Sequence, residues 1–406
     1  MHLPIATFVI LILAISPLGA RPVRPLAKSK APLKATGKAT ARVATIRPVR
    51  LSLSGRASYG RYTAPLSRMP LQRVKRGRAV WQQTWAAPTF GEPTMGDEAA
   101  GDDPIVRQAA VEALGQYNGT VVVADPATGR LLTVVNQKLA YRNGFTPCST
   151  IKVVAAMGSL MEGNVDRDSR RNNLNLTTAI ARSNNPFFAQ LGTELGFEKV
   201  THYARLFGLG EKAVYGLDDE HPGTLPLGIP REGLGMMTSF GSGINLTPLQ
   251  LAGALSAIAN GGTLYWLQYP RNQLEVESMH PRIKRSINVQ PFLDEIRPGL
   301  AGAVEYGTAR RAFYDASEPV FGKTGTCTHS DNQTHLGWFG SFNEVEGRKL
   351  VVVVLLTGGR PINGPVASGV AGEVYKNLSK ARYYSRTPLL PFTPTAEMLS
   401  RVPGSE

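Results

Sequence analysis

From Asp103 onward the apolar positions recur at two periods, and the changes of period mark the elements. PIVRQAAVEALGQY (104–117) spaces its apolar residues three and four apart, the stripe of a helix with one buried face. GTVVVADPATGRLLTVVN (119–136) is instead two β-branched runs around a DPATGR turn, which predicts a hairpin. Residues 150–161 are mostly apolar and read as a buried helix. PFFAQLGTELG (186–196) and EKVTHYARLFG (198–208) read as two more, each stopped by glycine. TPLQLAGALSAIANGG (247–262) carries proline at its start and glycines at its end, the asymmetry expected of a well-delimited helix. PFLDEIRPGLAGAVEYGTARRAF (291–313) is helical, with a break expected near Pro298. The pattern then becomes strand-like in FGKTGTCT (321–328), HLGWFGSF (335–342) and KLVVVVLLTGG (349–359), and a helix over about 366–380 closes it. Strands at both ends with helices between them predict an α/β domain with a helical insertion, its one sheet completed from both ends.

Before Asp103 no period is sustained. The chain of 406 residues carries a formal charge of +15, yet residues 21–80 hold 16 Lys and Arg with no Asp or Glu. The rest has 29 basic against 30 acidic residues, so the folded part is nearly neutral and the excess charge belongs to one stretch. With its Arg, Lys, Ala, Pro, Ser and Thr, 21–101 reads as a disordered polycationic linker. Such a stretch is either a solvated tether or an adhesive for an anionic surface: membrane lipid, wall polymer or nucleic acid. Residues 1–20 contain an apolar run at 5–15, the length of a signal-peptide core and short for a membrane span. No Lys or Arg precedes that run and many follow it, a charge placement that disfavours export. The expected organisation is a signal peptide or short anchor at 1–20, the linker at 21–101, a folded domain at 102–385 and a tail at 386–406. No internal repeat is visible.

Candidate chemistry begins at PCSTIKVV (147–154), where Ser149 and Lys152 stand one helical turn apart and so share a face. A lysine there takes a serine's proton if burial or a second cation lowers its pKa. Alone, S-x-x-K is also an ordinary helix start with a solvated charge. Ser183-Asn184-Asn185 follows between two predicted helices, and Lys323-Thr324-Gly325-Thr326 lies in the first late strand. The order S-x-x-K, S-x-N, K-T-G is the motif set of penicillin-binding proteins and class A β-lactamases. The chain resembles the penicillin-binding transpeptidase family, and SFGSGINLTPLQLAGALSAIANGG (239–262), GAVEYGTARRA (302–312) and GKTGTCTHSDNQTHLGWFGSF (322–342) match it in type and order. The resemblance covers about residues 104–383. The glycosyltransferase segment or large non-catalytic module of many members is not recognisable before the domain, and the polycationic stretch stands in that place.

The resemblance implies an antiparallel sheet flanked by helices, an inserted all-helical subdomain and an active site between them. It makes Ser149 the nucleophile that forms an acyl-enzyme and Lys152 the general base. Lys323, and Arg182 beside the second motif, would favour a neutral amine at Lys152 by like-charge repulsion. Ser183 relays a proton to the leaving group, and Asn185 holds the substrate's amide. Lys323, in the catalytic set, and the substrate-binding run Thr324, Gly325 and Thr326 face a terminal carboxylate, with a hydroxyl from Thr326. The oxyanion hole is the backbone N–H of Ser149 and of Thr326. An oxygen shared by those donors would bring their neighbours Cys148 and Cys327 close enough to form a disulfide.

The implied substrate is the acyl-D-Ala-D-Ala end of a peptidoglycan stem peptide, with β-lactams as covalent inhibitors. That substrate lies outside the cytoplasmic membrane, which favours export and a periplasmic or envelope location. No metal, nucleotide or other cofactor is expected, nor a nucleic-acid partner; an anionic envelope polymer or membrane surface remains the candidate for 21–80. Alternatives are a serine β-lactamase, a D,D-carboxypeptidase, or a β-lactam-binding module that does not turn over. A class A lactamase needs a deacylating glutamate, for which Glu194, Glu198 and Glu232 are the available residues.

Overall fold

The computed structural model describes residues 85–385, apart from 167, 172, 314, 330 and 332. All belong to the second of the two units into which the chain divides, Leu71–Glu406; the expected leader, the linker as far as 84, and the tail at 386–406 lie outside the described residues. The chain runs through α1 (Pro104–Leu114), β1 (Gly119–Ala124), β2 (Leu131–Val135) and α2 (Gln137–Tyr141). A helical block follows: α3 (Ile151–Met161), α4 (Leu176–Ala181), α5 (Asn185–Leu195), α6 (Phe197–Leu206), α7 (Leu234–Phe240) and α8 (Pro248–Ala259). Next come β3 (Thr263–Trp266), α9 (Gln273–Ser278), β4 (Arg282–Ser286) and α10 (Leu293–Glu305). The last elements are β5 (Val320–Thr328), β6 (His335–Val345), β7 (Arg348–Gly358) and α11 (Gly364–Lys380).

The main sheet is antiparallel, in the order β2-β1-β7-β6-β5, so early and late parts of the chain complete it together. β7 shows why. Its run Val351–Leu356 is apolar without alternation because both faces are covered. Val351, Val353 and Leu355 join the core built with α3, α5 and α8, whereas Val352, Val354 and Leu356 join the core under α1 and α11. α8 is buried along its whole length and is fixed by a capping box, Thr247 Oγ1 accepting from Gln250 N–H while the Gln250 amide oxygen accepts from Thr247 N–H. β6 passes it closely: a Cβ on Gly340 would stand 2.7 Å from Leu255 Cδ1. β5 is left at the sheet edge, one side paired to β6 and the other free for the helical block.

Three expectations are corrected. α1 stops at Leu114, where Gly115 takes φ +56° in the left-handed region. α10 runs unbroken through Pro298, because tertiary packing of Ile296, Leu300 and Val304 outweighs the loss of one N–H. The linker boundary at 101 falls too late, since residues 85–101 lie on the domain. The Asp97 side chain there is buried; its carboxylate pairs with Arg107 at 2.8 Å and accepts the N–H groups of Asn136 and Gln137, both at 2.9 Å. Ala86 N–H donates to Gln333 O, and Phe90 stacks on Tyr117. This docking is polar and local, so it leaves no apolar period in the sequence. Among the described residues no helix is long and apolar enough to cross a membrane.

Candidate active site

Ser149 sits in a 3₁₀ turn, Cys148–Thr150, that feeds directly into α3. The turn is held from below by Thr150 Oγ1, which donates to Pro147 O at 2.6 Å. Two residues at the site have left-handed backbones without being glycine: Cys148 at φ +51° and Ser183 at φ +55°. Such conformations cost of order 1–3 kcal/mol and persist only where the surroundings enforce them. At Ser183 they bend the chain between α4 and α5, turning its hydroxyl and carbonyl toward α3.

Lys152 is fully buried, and its Nζ is the centre of the cluster. It lies 3.0 Å from Ser149 Oγ, 3.0 Å from Ser183 Oγ, 3.0 Å from Ser183 O and 2.5 Å from Asn185 Oδ1. The rings of Phe188 and Phe240 stand over it at 5.5 and 5.8 Å. Burial lowers its pKa to about 7. The cause differs from the expected one: desolvation does the work at Lys152, and Arg182 is exposed. Repulsion between the lysines is felt at Lys323 instead, where burial comes first and the Lys152 charge second in pushing the pKa well below the lysine range.

The neutral amine has a definite orientation. Ser183 O and Asn185 Oδ1 can only accept, so they take its two N–H groups. The lone pair is then left for the two hydroxyls, Ser149 and Ser183. Nζ is thereby placed between the Ser149 and Ser183 hydroxyls, within reach of a proton from either.

β5 brings the third motif. Lys323, Gly325 and Cys327 alternate onto the side facing the turn that bears Ser149. Gly325 is there because a Cβ would come within 3.0 Å of Pro147 O. Cys327 and Cys148 are joined Sγ to Sγ, with Cα atoms 5.5 Å apart. Lys323 is almost fully buried and donates to Thr324 O at 3.1 Å. Thr324 and Thr326 point to the opposite side. The Thr326 hydroxyl accepts the N–H of Gly364, at the start of α11, at 2.7 Å; the Thr324 hydroxyl lies 2.5 Å from that of Thr308.

Two residues with no role in the sequence reading belong to the site. Ser239, near the end of α7, places its carbonyl 3.4 Å from Ser149 Oγ, an alternative acceptor for the one proton of that hydroxyl, and donates its own hydroxyl to Asn185 O at 3.1 Å. Thr308 ties the second motif to the third, its N–H donating to Ala181 O at 3.1 Å and its hydroxyl meeting Thr324. Both lie inside stretches that already resembled the family, SFGSGINL and YGTARRA, and that was the signal available. Glu194, Glu198 and Glu232 are all exposed, and Glu194 is paired with Arg171. Among the described residues no carboxylate hydrogen-bonds Ser149, Lys152, Ser183 or Lys323.

An edge strand bearing K-T-G-T, packed beside a serine–lysine pair at the start of a buried helix, is the arrangement in space of the motif set that penicillin-binding proteins share with class A β-lactamases. The family model described as the penicillin binding protein transpeptidase domain matches residues 164–380, and the chain belongs to that family. The match begins after Ser149 and Lys152, so their assignment rests on the motif and the geometry. Stage V sporulation protein D of Bacillus subtilis is 30% identical over 286 residues, covering 60% of this chain and 44% of that one. The probable peptidoglycan D,D-transpeptidase PbpC of Pseudomonas aeruginosa is 24% identical over 256 residues, 50% of this chain and 45% of its own. The chain thus spans under half the length of these relatives. The crystal structure of Pseudomonas aeruginosa PBP2 in complex with WCK 5153 superposes with a TM-score of 0.56 at 22% identity, over 68% of this chain and 76% of that one, a likeness of fold.

Proposed function

We propose that this protein is a penicillin-sensitive serine D,D-transpeptidase that cross-links peptidoglycan through an acyl-enzyme on Ser149. The carrying observation is the buried Lys152 Nζ within 3.0 Å of both Ser149 Oγ and Ser183 Oγ. Ser149 Oγ attacks the carbonyl between the two D-alanines of a stem peptide while its proton passes to the Lys152 lone pair. As the amide bond breaks, Ser183 hands a proton to the leaving D-alanine, and Lys152 replaces it. The backbone N–H groups of Ser149 and Thr326 receive the developing oxyanion, a pair worth a few kcal/mol. Lys323, on the Ser149 side of β5, is the cation available to the terminal carboxylate, whose negative charge would favour its protonated form against burial; the Thr326 hydroxyl faces away, toward Gly364, and takes no part. Asn185 gives its oxygen to Lys152, which leaves its NH₂ for the substrate's amide. An amine on a second stem peptide then takes the acyl group and returns Ser149.

The absence of a carboxylate hydrogen-bonded to the site among the described residues disfavours the rapid hydrolysis of a class A lactamase; transfer against carboxypeptidase hydrolysis is decided by the acceptor. The substrate would place the domain outside the cytoplasmic membrane. Residues 21–80 would hold it against an anionic envelope polymer or membrane surface. The test is labelling of Ser149 by fluorescent penicillin, followed by turnover of an acyl-D-Ala-D-Ala peptide with and without an added amine. Product appearing only by hydrolysis, at a rate the amine does not change, would remove the transferase reading.

A further inference from the structure

The backbone that delivers Ser149 is bridged at Phe145 to Leu246 by two backbone hydrogen bonds, and from Thr146 to Cys148 it is tied to another element, the β5–β6 hairpin. Cys148 is bonded to Cys327, and Thr146 O accepts from Trp338 Nε1 at 3.0 Å. The third tie is His329, two residues past Cys327. Its Nδ1 lies 3.2 Å from Thr146 N and 3.2 Å from Thr146 Oγ1. Its ring packs on Phe145 at 5.6 Å, and its own N–H closes the hairpin loop onto Thr334 O at 2.7 Å. A backbone N–H can only donate, so Nδ1 must accept and the ring's proton must sit on Nε2. Adding a proton at Nδ1 sets one N–H against another, three residues before Ser149. The imidazolium could then address only the Thr146 hydroxyl.

We propose that His329 is a positioning residue for the nucleophile: its unprotonated Nδ1 fixes Thr146 and hence the turn bearing Ser149, so full activity requires His329 to be neutral. The inference rests on Ser149 being the nucleophile. The surroundings agree with it. Burial lowers the His329 pKa, against the opposing pull of Asp331 in the same loop. From β6 the nearest titratable group is His335, which reaches Thr328 and is held low by burial and then by Arg360. Cys148 and Cys327 do not titrate, and Phe145 and Trp338 carry no charge. The contact is therefore complete above the ordinary histidine value of about 6.5 and is lost as pH falls through the lower folded value. The disulfide and Trp338 survive that protonation, so the turn loosens without unfolding.

The experiment follows acylation by fluorescent penicillin, and hydrogen exchange of the peptide spanning 143–150, from neutral to mildly acidic pH. The proteins are wild type, His329→Asn and His329→Ala. Asparagine offers a carbonyl oxygen as acceptor and does not titrate. Wild type is expected to lose about five- to tenfold more rate on acidification than His329→Asn. Its 143–150 peptide should exchange faster at acid pH, after correction for intrinsic rate, and that of His329→Asn should not. His329→Ala should be slow and fast-exchanging at every pH. Superimposable profiles for wild type and His329→Asn, with protection of 143–150 independent of pH, would overturn the proposal. If wild type is not labelled at any pH the proposed function fails separately, and the exchange result still decides whether His329 holds the turn.

Discussion

At the residue scale the proposed chemistry turns on one amine that must be both buried and basic. With a pKa near 7, Lys152 is about half neutral in the physiological range. Acylation should rise with pH and level off above about 7, with a one-proton limb through that value and a steeper fall at lower pH, where His329 also protonates. Stopped-flow labelling across pH checks this; a flat profile through pH 7 would exclude Lys152 as the base. Stability carries the opposite lesson. Lys152 binds its proton less readily folded than unfolded, so the unfolded chain holds more protons between about 7 and the ordinary lysine value of 10.5, and stability rises with pH in that window. Near neutrality the site is therefore a weak point of the fold. Lys152→Met should slow acylation by about 10²–10⁴-fold and raise the melting temperature by several degrees, read by labelling and by differential scanning fluorimetry. A lower melting temperature would show that the hydrogen bonds of Nζ outweigh its burial.

At the element scale the site is made by β5 meeting the start of α3, and the Cys148–Cys327 bond closes that junction across 179 residues. On the chain-entropy model such a loop contributes about 5 kcal/mol. Thiol titration of the unfolded, unreduced protein should find neither cysteine free. Cys148→Ser/Cys327→Ser should melt well below wild type and acylate more slowly, because the two N–H donors lose their fixed spacing; an unchanged acylation rate would leave the bond a stabilising role alone. This junction was legible in the sequence because motif order and the placement of both cysteines point to one place. The other elements were uneven. β7 and α8 announced themselves through long apolar runs. β3 and β4 did not, since RIKRS (282–286) is charged and the ribbon is held by cation–π contacts such as Lys284 over Trp266 at 4.0 Å. Thr308 and Ser239 were invisible as site residues because their work is hydrogen bonding between segments, which neither period nor composition records. Segment 85–101 was misread for the same reason: one buried carboxylate, Asp97, replaces an apolar face.

For the whole molecule the division of charge matters most. Residues 21–80 carry all the excess positive charge, while the domain has none to spare. Adhesion through that stretch should be electrostatic, so retention on anionic vesicles or wall polymer should fall steeply as salt rises past about 0.15 M. Deleting 21–80 should abolish retention and leave acylation by penicillin unchanged; equal retention by the truncated protein would remove the electrostatic account.

The account as a whole stands on Ser149 as an acylated nucleophile, and intact-protein mass spectrometry after penicillin treatment tests this most directly. Wild type should gain the mass of one opened penicillin, traced on digestion to the peptide containing PCSTIK. Ser149→Ala should gain none while melting as a folded protein. An unmodified wild type, or an adduct that persists in Ser149→Ala, would contradict the account.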